Sequence, residues 1–267
     1  MEETTLTKTA PKKKLYEFAV IPIEWLERGE LAGFHSGKDL KALSALRVLL
    51  ALAFIARESR ISPGLVVEER HEQFLATYSS IQRLAGFDRT KINESLQILE
   101  AKGVIEVTRR RGRASLYRFK FSEKRWAKVP LRASGNVVLK ALSLRFSDYR
   151  VSERHRHLLA ALKIYLYLIG VRQAKGSRAT VAYSVFERKC GVQRKDIAGA
   201  LSILNSLKLV VTENSFVPDT KGAYRPATNS YVILGLSDYR PQNGLIPNEA
   251  LFDHHGPFDD LDPDEAA

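Results

Sequence analysis

The chain repeats itself, and that constrains its fold more than any other feature. Displaced by 105 positions, Tyr78-Ser79 falls on Tyr183-Ser184, Arg83 on Arg188 and Gly86 on Gly191. Arg89 then meets Arg194, Ile92 meets Ile197, Leu96 meets Leu201, and Ile98-Leu99 meets Ile203-Leu204. Upstream, Ala45-Leu46-Arg47-Val48 matches Ala161-Leu162-Lys163-Ile164, and Ala19-Val20-Ile21-Pro22 matches Ala127-Lys128-Val129-Pro130, at somewhat different offsets. All three matches keep their order. The expectation is two copies of one unit in tandem, joined near Ser122–Trp126.

The unit is clearest over Thr77–Phe119. Tyr78-Ser79-Ser80 opens a short helix, with Ser79 the expected N-cap because a hydroxyl there can accept from an orphan backbone N–H. Gly86 ends it, supplying the positive φ of a sharp helix exit. Asp88 caps a second helix whose Ile92, Leu96 and Leu99 share one apolar face, and Gly103 stops it. Val104–Thr108 and Ala114–Phe119 alternate as half-buried strands around Arg109-Arg110-Arg111-Gly112-Arg113.

This order resembles a winged helix-turn-helix domain. The fold class it implies is α+β, mainly α: two tandem winged-helix domains, each a helical bundle with a small antiparallel β-hairpin wing. Domain 1 spans 16–122 and domain 2 spans 123–240, between a basic disordered arm (1–15) and a linker with an acidic disordered tail (241–267). With Ile92 facing the core, Thr90, Asn93, Glu94 and Gln97 point away from it. These are short or amide side chains suited to base edges. A plain solvated face is the alternative, and the basic hairpin beside it tips the reading toward DNA. Four arginines without an acid among them suit phosphates or a narrow minor groove. Arg89, Lys91, Arg109, Arg110, Arg111 and Arg113 are therefore expected on the DNA backbone or minor groove, with Arg194 and Lys195 from the second copy. The second copy's outward face (Lys195, Ala198, Gly199, Ser202) is nearly bare. A mid-helix Gly199 costs about 1 kcal/mol relative to Ala, so close approach to a DNA backbone, to thymine methyls or to another helix is expected there.

Charge supports a polyanionic partner. The net charge is +12, yet the seven acids from Glu249 onward stand without a Lys or Arg. Removing those seven from the 30 acids leaves 23 against 42 bases, a net of +19 for residues 1–248. Double-stranded DNA is the expected partner, with no membrane partner, since a clear Lys/Arg-lined amphipathic helix is missing. The acidic tail, carrying Phe258 and Leu261, loosely resembles the acidic aromatic tips of single-stranded-DNA-binding proteins; it would dock host replication or transcription proteins, or fold back on the basic body. Cys190 is the lone cysteine and aligns with Ala85, so it reads as a small buried side chain in a reducing compartment. The acidic start lacks the pattern of an export signal, so a cytoplasmic, nucleoid-associated protein is expected.

The rest of the chain carries weaker signals. Phe18–Pro22 reads as a strand, Asp39–Arg57 as a helix, and Leu65-Val66-Val67 as the first sheet strand. Ser122–Arg132 reads as a basic connector, with helices over Asn136–Phe146 and Ser152–Val171. The second copy's strands fall at Leu209–Thr212 and Ser230–Leu234, with a long wing between them. Gly37-Lys38-Asp39 fails as a phosphate loop, since Ala32 and Asp39 replace the required Gly and Ser/Thr. His155 and His157 lie about 200° apart on a helix and are expected to be exposed. No catalytic constellation, metal set or cofactor motif emerges, so a non-enzyme is expected.

Two winged helices, each preceded by a Val/Ile-Pro segment and a long helix, are similar to plasmid and mobile-element replication initiators over residues 16–236. That resemblance implies binding to repeated duplex sites at an origin and recruitment of host replication proteins; a homodimer is a separate expectation. In such initiators the second domain usually carries much of the base reading, and here its helix is the barer one. A transcriptional regulator or partition-type DNA binder would use the same domains. A winged-helix protein-interaction scaffold is the rival of another class.

Overall fold

A computed structural model describes residues 18–35, 40–61, 73–110, 113–120, 126–133, 136–137, 153–172, 176–213, 216–218, 224–226 and 229–236. The expected arm, the Gly37-Lys38-Asp39 stretch, Leu65-Val66-Val67 and the acidic tail lie outside them. So does the 138–146 part of the helix expected over Asn136–Phe146. Of His155 only the helical backbone is described.

The chain is α+β, built from helices that carry small antiparallel sheets. β1 (Phe18–Pro22) leads into a single turn α1 (Glu24–Glu27) and a 3-10 turn (Glu30–Gly33). The long helix α2 (Lys41–Ile61) follows, then β2 (Gln73–Ala76), α3 (Tyr78–Ala85), α4 (Arg89–Ala101), β3 (Ile105–Thr108) and β4 (Ser115–Phe119). After β5 (Trp126–Pro130) and a minimal pair, β6 (Arg132–Ala133) and β7 (Asn136–Val137), the order recurs. The second long helix α5 (Glu153–Val171) precedes β8 (Arg178–Thr180). A turn α6 (Tyr183–Val185) runs into a π turn over Phe186–Cys190, followed by α7 (Arg194–Ser206) and β9 (Val210–Glu213). The hairpin β10 (Phe216–Pro218) and β11 (Tyr224–Pro226) leads to β12 (Ser230–Ile233).

Each half closes on a three-stranded sheet with its last strand in the centre, β2-β4-β3 in one and β8-β12-β9 in the other. The expected two-stranded wing thus gains a third strand from the segment just before α3 or α6. Gln73-Phe74-Leu75-Ala76 alternates exposed and buried, and Phe74 stacks on Tyr117 of the central strand at 5.8 Å. The pairing buries an edge that two strands alone would leave bare.

Two expectations change. Asn136 begins a two-residue strand paired with β6, not a helix. Val129-Pro130 belongs to strand β5 rather than to a connector. β5 also pairs antiparallel with β1, placing Ala19 opposite Val129 and Ile21 opposite Ala127, all four buried. The two Val/Ile-Pro segments of the repeat therefore bind each other.

Other contacts cross the same divide. α1 packs on α5, where Leu26 leaves Gly170 little room for a side chain: a Cβ there would lie 3.1 Å from Leu26 Cδ1. The Lys189 ammonium donates to the Glu27 carbonyl at 2.6 Å. One continuous apolar core runs through α2, α4, α5 and α7, so the two halves bury their helices against a common interior.

Candidate nucleic-acid interface

The α3–turn–α4 unit is set by short-range hydrogen bonds. Thr77, not Ser79, is the N-cap: its Oγ1 accepts from the Ser80 N–H at 3.1 Å, and its own N–H donates to Ser80 Oγ at 3.1 Å. A reciprocal box needs the hydroxyl three residues on, which Thr77 has in Ser80. Gly86 takes φ +72° at the end of α3. Asp88 Oδ1 then accepts from the Lys91 N–H at 2.8 Å and starts α4. Ile92, Leu96 and Leu99 are fully buried, and Ser95 Oγ, 3.0 Å from Ser44 Oγ, ties α4 to α2.

The polar stripe of α4 is less free than its spacing implies. Arg89, Thr90 and Gln97 are exposed. Asn93 is half-buried, with Oδ1 accepting from the Tyr78 hydroxyl at 3.2 Å. Glu94 is half-buried and paired with Lys91 Nζ at 3.2 Å. The Arg89 guanidinium lies 5.0 Å from the Tyr78 ring centroid, stacked on its face.

The hairpin's base meets this stripe. Arg109 Nη2 lies 2.7 Å from Glu100 Oε2, and Glu100 stands seven residues past Asn93 on the same helical stripe. That bond raises the arginine's proton affinity further, the carboxylate hydrogen bond being the main cause. Arg109 therefore links the hairpin to the helix, with about half of its side chain still exposed at 48%. Arg110 and Arg113 are exposed, while Arg111 and Gly112 lie outside the described residues. Arg118 and Lys120 share Glu106 at 3.9 and 3.2 Å on the outer face of β3 and β4.

The second half has a different surface. Lys195, Ala198 and Ser202 are exposed, and Arg194 is exposed with Glu187 3.9 Å away. Asp196 is buried, 3.1 Å from Arg156 Nη2 and 3.2 Å from His157 Nε2. His157 is thus a half-buried link between α5 and α7, not an exposed histidine. Its ring also explains Gly199, where a Cβ would sit 3.2 Å from His157 Nδ1. Another helix is among the neighbours expected for Gly199, and α5 supplies that contact.

Sequence reasoning missed Tyr78 and Glu100, which hold Asn93 and Arg109. The repetition of tyrosine at 78 and 183 was the available signal for the first. No protein-family model matches the chain, and no curated protein does. Among the described residues, no helix is long and apolar enough to cross a membrane.

Proposed function

We propose that the protein is a sequence-specific duplex-DNA binder built from two tandem winged-helix domains. The observation that carries this reading is the Arg109–Glu100 bond. It seats the arginine-rich hairpin against the stripe of α4 that carries Thr90, Asn93 and Gln97. A helix of groove width with a basic finger at its side is the arrangement that a major groove and its flanking phosphates accept. In this reading α4 enters the major groove. Arg89, Arg110 and Arg113 hold phosphate, and Thr90, Asn93 and Gln97 face base edges. Lys195 and Arg194 add backbone contacts from the second domain.

The resemblance to replication initiators adds the biological class: binding at repeated origin sites. Selecting bound duplexes from a random pool separates the classes, because direct repeats beside the coding gene fit an initiator and a single palindrome over its promoter fits a regulator.

The decisive test is salt. A duplex binder with six or more phosphate contacts should lose at least ~10³ in affinity between 50 and 200 mM salt. Replacing Arg110 and Arg113 together by Ala should weaken every duplex alike and flatten that slope. Absence of duplex affinity in dilute buffer would overturn the reading and favour the protein-interaction scaffold.

A further inference from the structure

Resting on the DNA-binding reading, the geometry assigns Tyr78 as the residue that sets which base Asn93 recognises. We infer that Tyr78 holds the Asn93 carboxamide in one orientation, with its amine outward, so that this position reads a hydrogen-bond acceptor pair on guanine.

A free asparagine side chain is ambiguous. Its carboxamide turns end for end at little cost and presents either an acceptor or two donors. The bidentate pairing with adenine uses both, Oδ1 accepting from N6 and Nδ2 donating to N7. Here Oδ1 is turned toward α3, where it accepts the Tyr78 phenol proton at 3.2 Å in a part-buried contact. The group left for a ligand is Nδ2, with two N–H donors. Guanine presents two adjacent acceptors, O6 and N7, in the major groove, whereas adenine sets a donor amine beside its N7.

Tyr78 is itself held. It is half-buried against the core as the first residue of α3, and Arg89 covers its ring. The phenol thus links a cation at the start of α4 to an amide one turn further on. Both groups face the same side.

The second half supplies an internal control. Tyr183 occupies the repeated place, with its ring 6.5 Å from Phe186, but Ala198 stands where Asn93 would be. The tyrosine ring is kept where no amide exists for it to hold. The ring is a packing group in both halves, and in the first its hydroxyl also meets Asn93. Tyr78→Phe should therefore fold normally and keep the Arg89 stack.

The experiment selects duplexes from a random pool with the full chain, its Y78F variant and its N93D variant, and measures discrimination at each base pair. The wild type is expected to prefer guanine at one position. Y78F should relax that position alone by about tenfold, with other positions and thermal stability unchanged. N93D keeps the acceptor for Tyr78 but loses both donors, so its preference should move from guanine to cytosine, whose N4 amine donates. Y78F discriminating like the wild type, or an adenine preference that depends on Asn93, would overturn the assignment and leave duplex binding standing. A wild type with no duplex affinity would remove the underlying reading as well.

Discussion

The two halves face one packing problem and meet it with different side chains. Each long helix sends a buried cation toward the end of the helix beneath it: Arg47 from α2, Lys163 from α5. Arg47 lies 4.6 Å over the Phe87 ring, just past Gly86. Lys163 Nζ donates to the Cys190 carbonyl at 2.9 Å, the last residue of the π turn. A cation at a helix C-terminus satisfies orphan carbonyls and meets the negative end of the dipole. In the first half an aromatic ring and a guanidinium fill the space. In the second, Val192 and Lys163 border a cavity of about 320 Å³ that also reaches His35, Arg156 and Asp196. Capping differs in the same direction, since Asp88 makes a side-chain cap and Gln193 makes none. The first half has its polar side chains locked on the outer face of α4. The second locks them between α5 and α7. The contrast is one of place: one helix makes its polar contacts on its outer face, the other makes them where two helices pack.

Paired glycine substitutions should separate the halves most widely. Gly86 and Gly191 both have positive φ, which costs any L side chain roughly 1–2 kcal/mol. A Cβ at Gly86 meets only the Arg47 Nη2 tip at 3.3 Å, whereas at Gly191 it meets Ala32 Cα at 2.8 Å. G191A should therefore lose about 3 kcal/mol in urea denaturation and G86A about 1. Equal losses would mean that the Gly29–Gly33 segment is not held against the second half.

Alkaline stability gives the next contrast. Burial lowers Lys163 to about 8 from the ordinary 10.5, while Arg47 is lowered only to about 10. Between pH about 7.5 and about 9 the folded state sheds the Lys163 proton and the unfolded chain keeps it. Stability from this group therefore rises with pH, by about 1.3 kcal/mol over that window. The Cys190 thiol, pushed up to about 12 by burial, stays neutral in the fold throughout. The stability difference between wild type and K163M should grow by that amount across the window. R47M should show no such trend, because arginine is protonated in both states there.

Caps provide the smallest contrast. D88A removes the bond to the Lys91 N–H and should cost about 1 kcal/mol in urea denaturation, with Q193A costing ~0.3 kcal/mol. A reversed order would place a cap on α7 that its geometry lacks.

Local signals carried the central unit. Gly86, Asp88, the buried Ile92-Leu96-Leu99 face and the two strands around the arginines all follow from backbone rules spanning four residues or fewer. The two-residue slip from Ser79 to Thr77 arose because either hydroxyl can cap, and the choice depends on which one finds a reciprocal partner. Strand β2 escaped notice for a related reason. Four alternating residues become a strand only beside β4.

The sequence by itself determined the duplication, the helix-turn-helix order and the apolar faces, because periodicity and caps act between near neighbours. Only the tertiary structure decided that β1 pairs with β5, that Arg109 turns to Glu100, that Tyr78 takes Asn93, and that His157 fills the space above Gly199. Those contacts join residues nine to more than a hundred positions apart. Their partners are chosen by the common core that brings the elements together, and no local pattern encodes that choice.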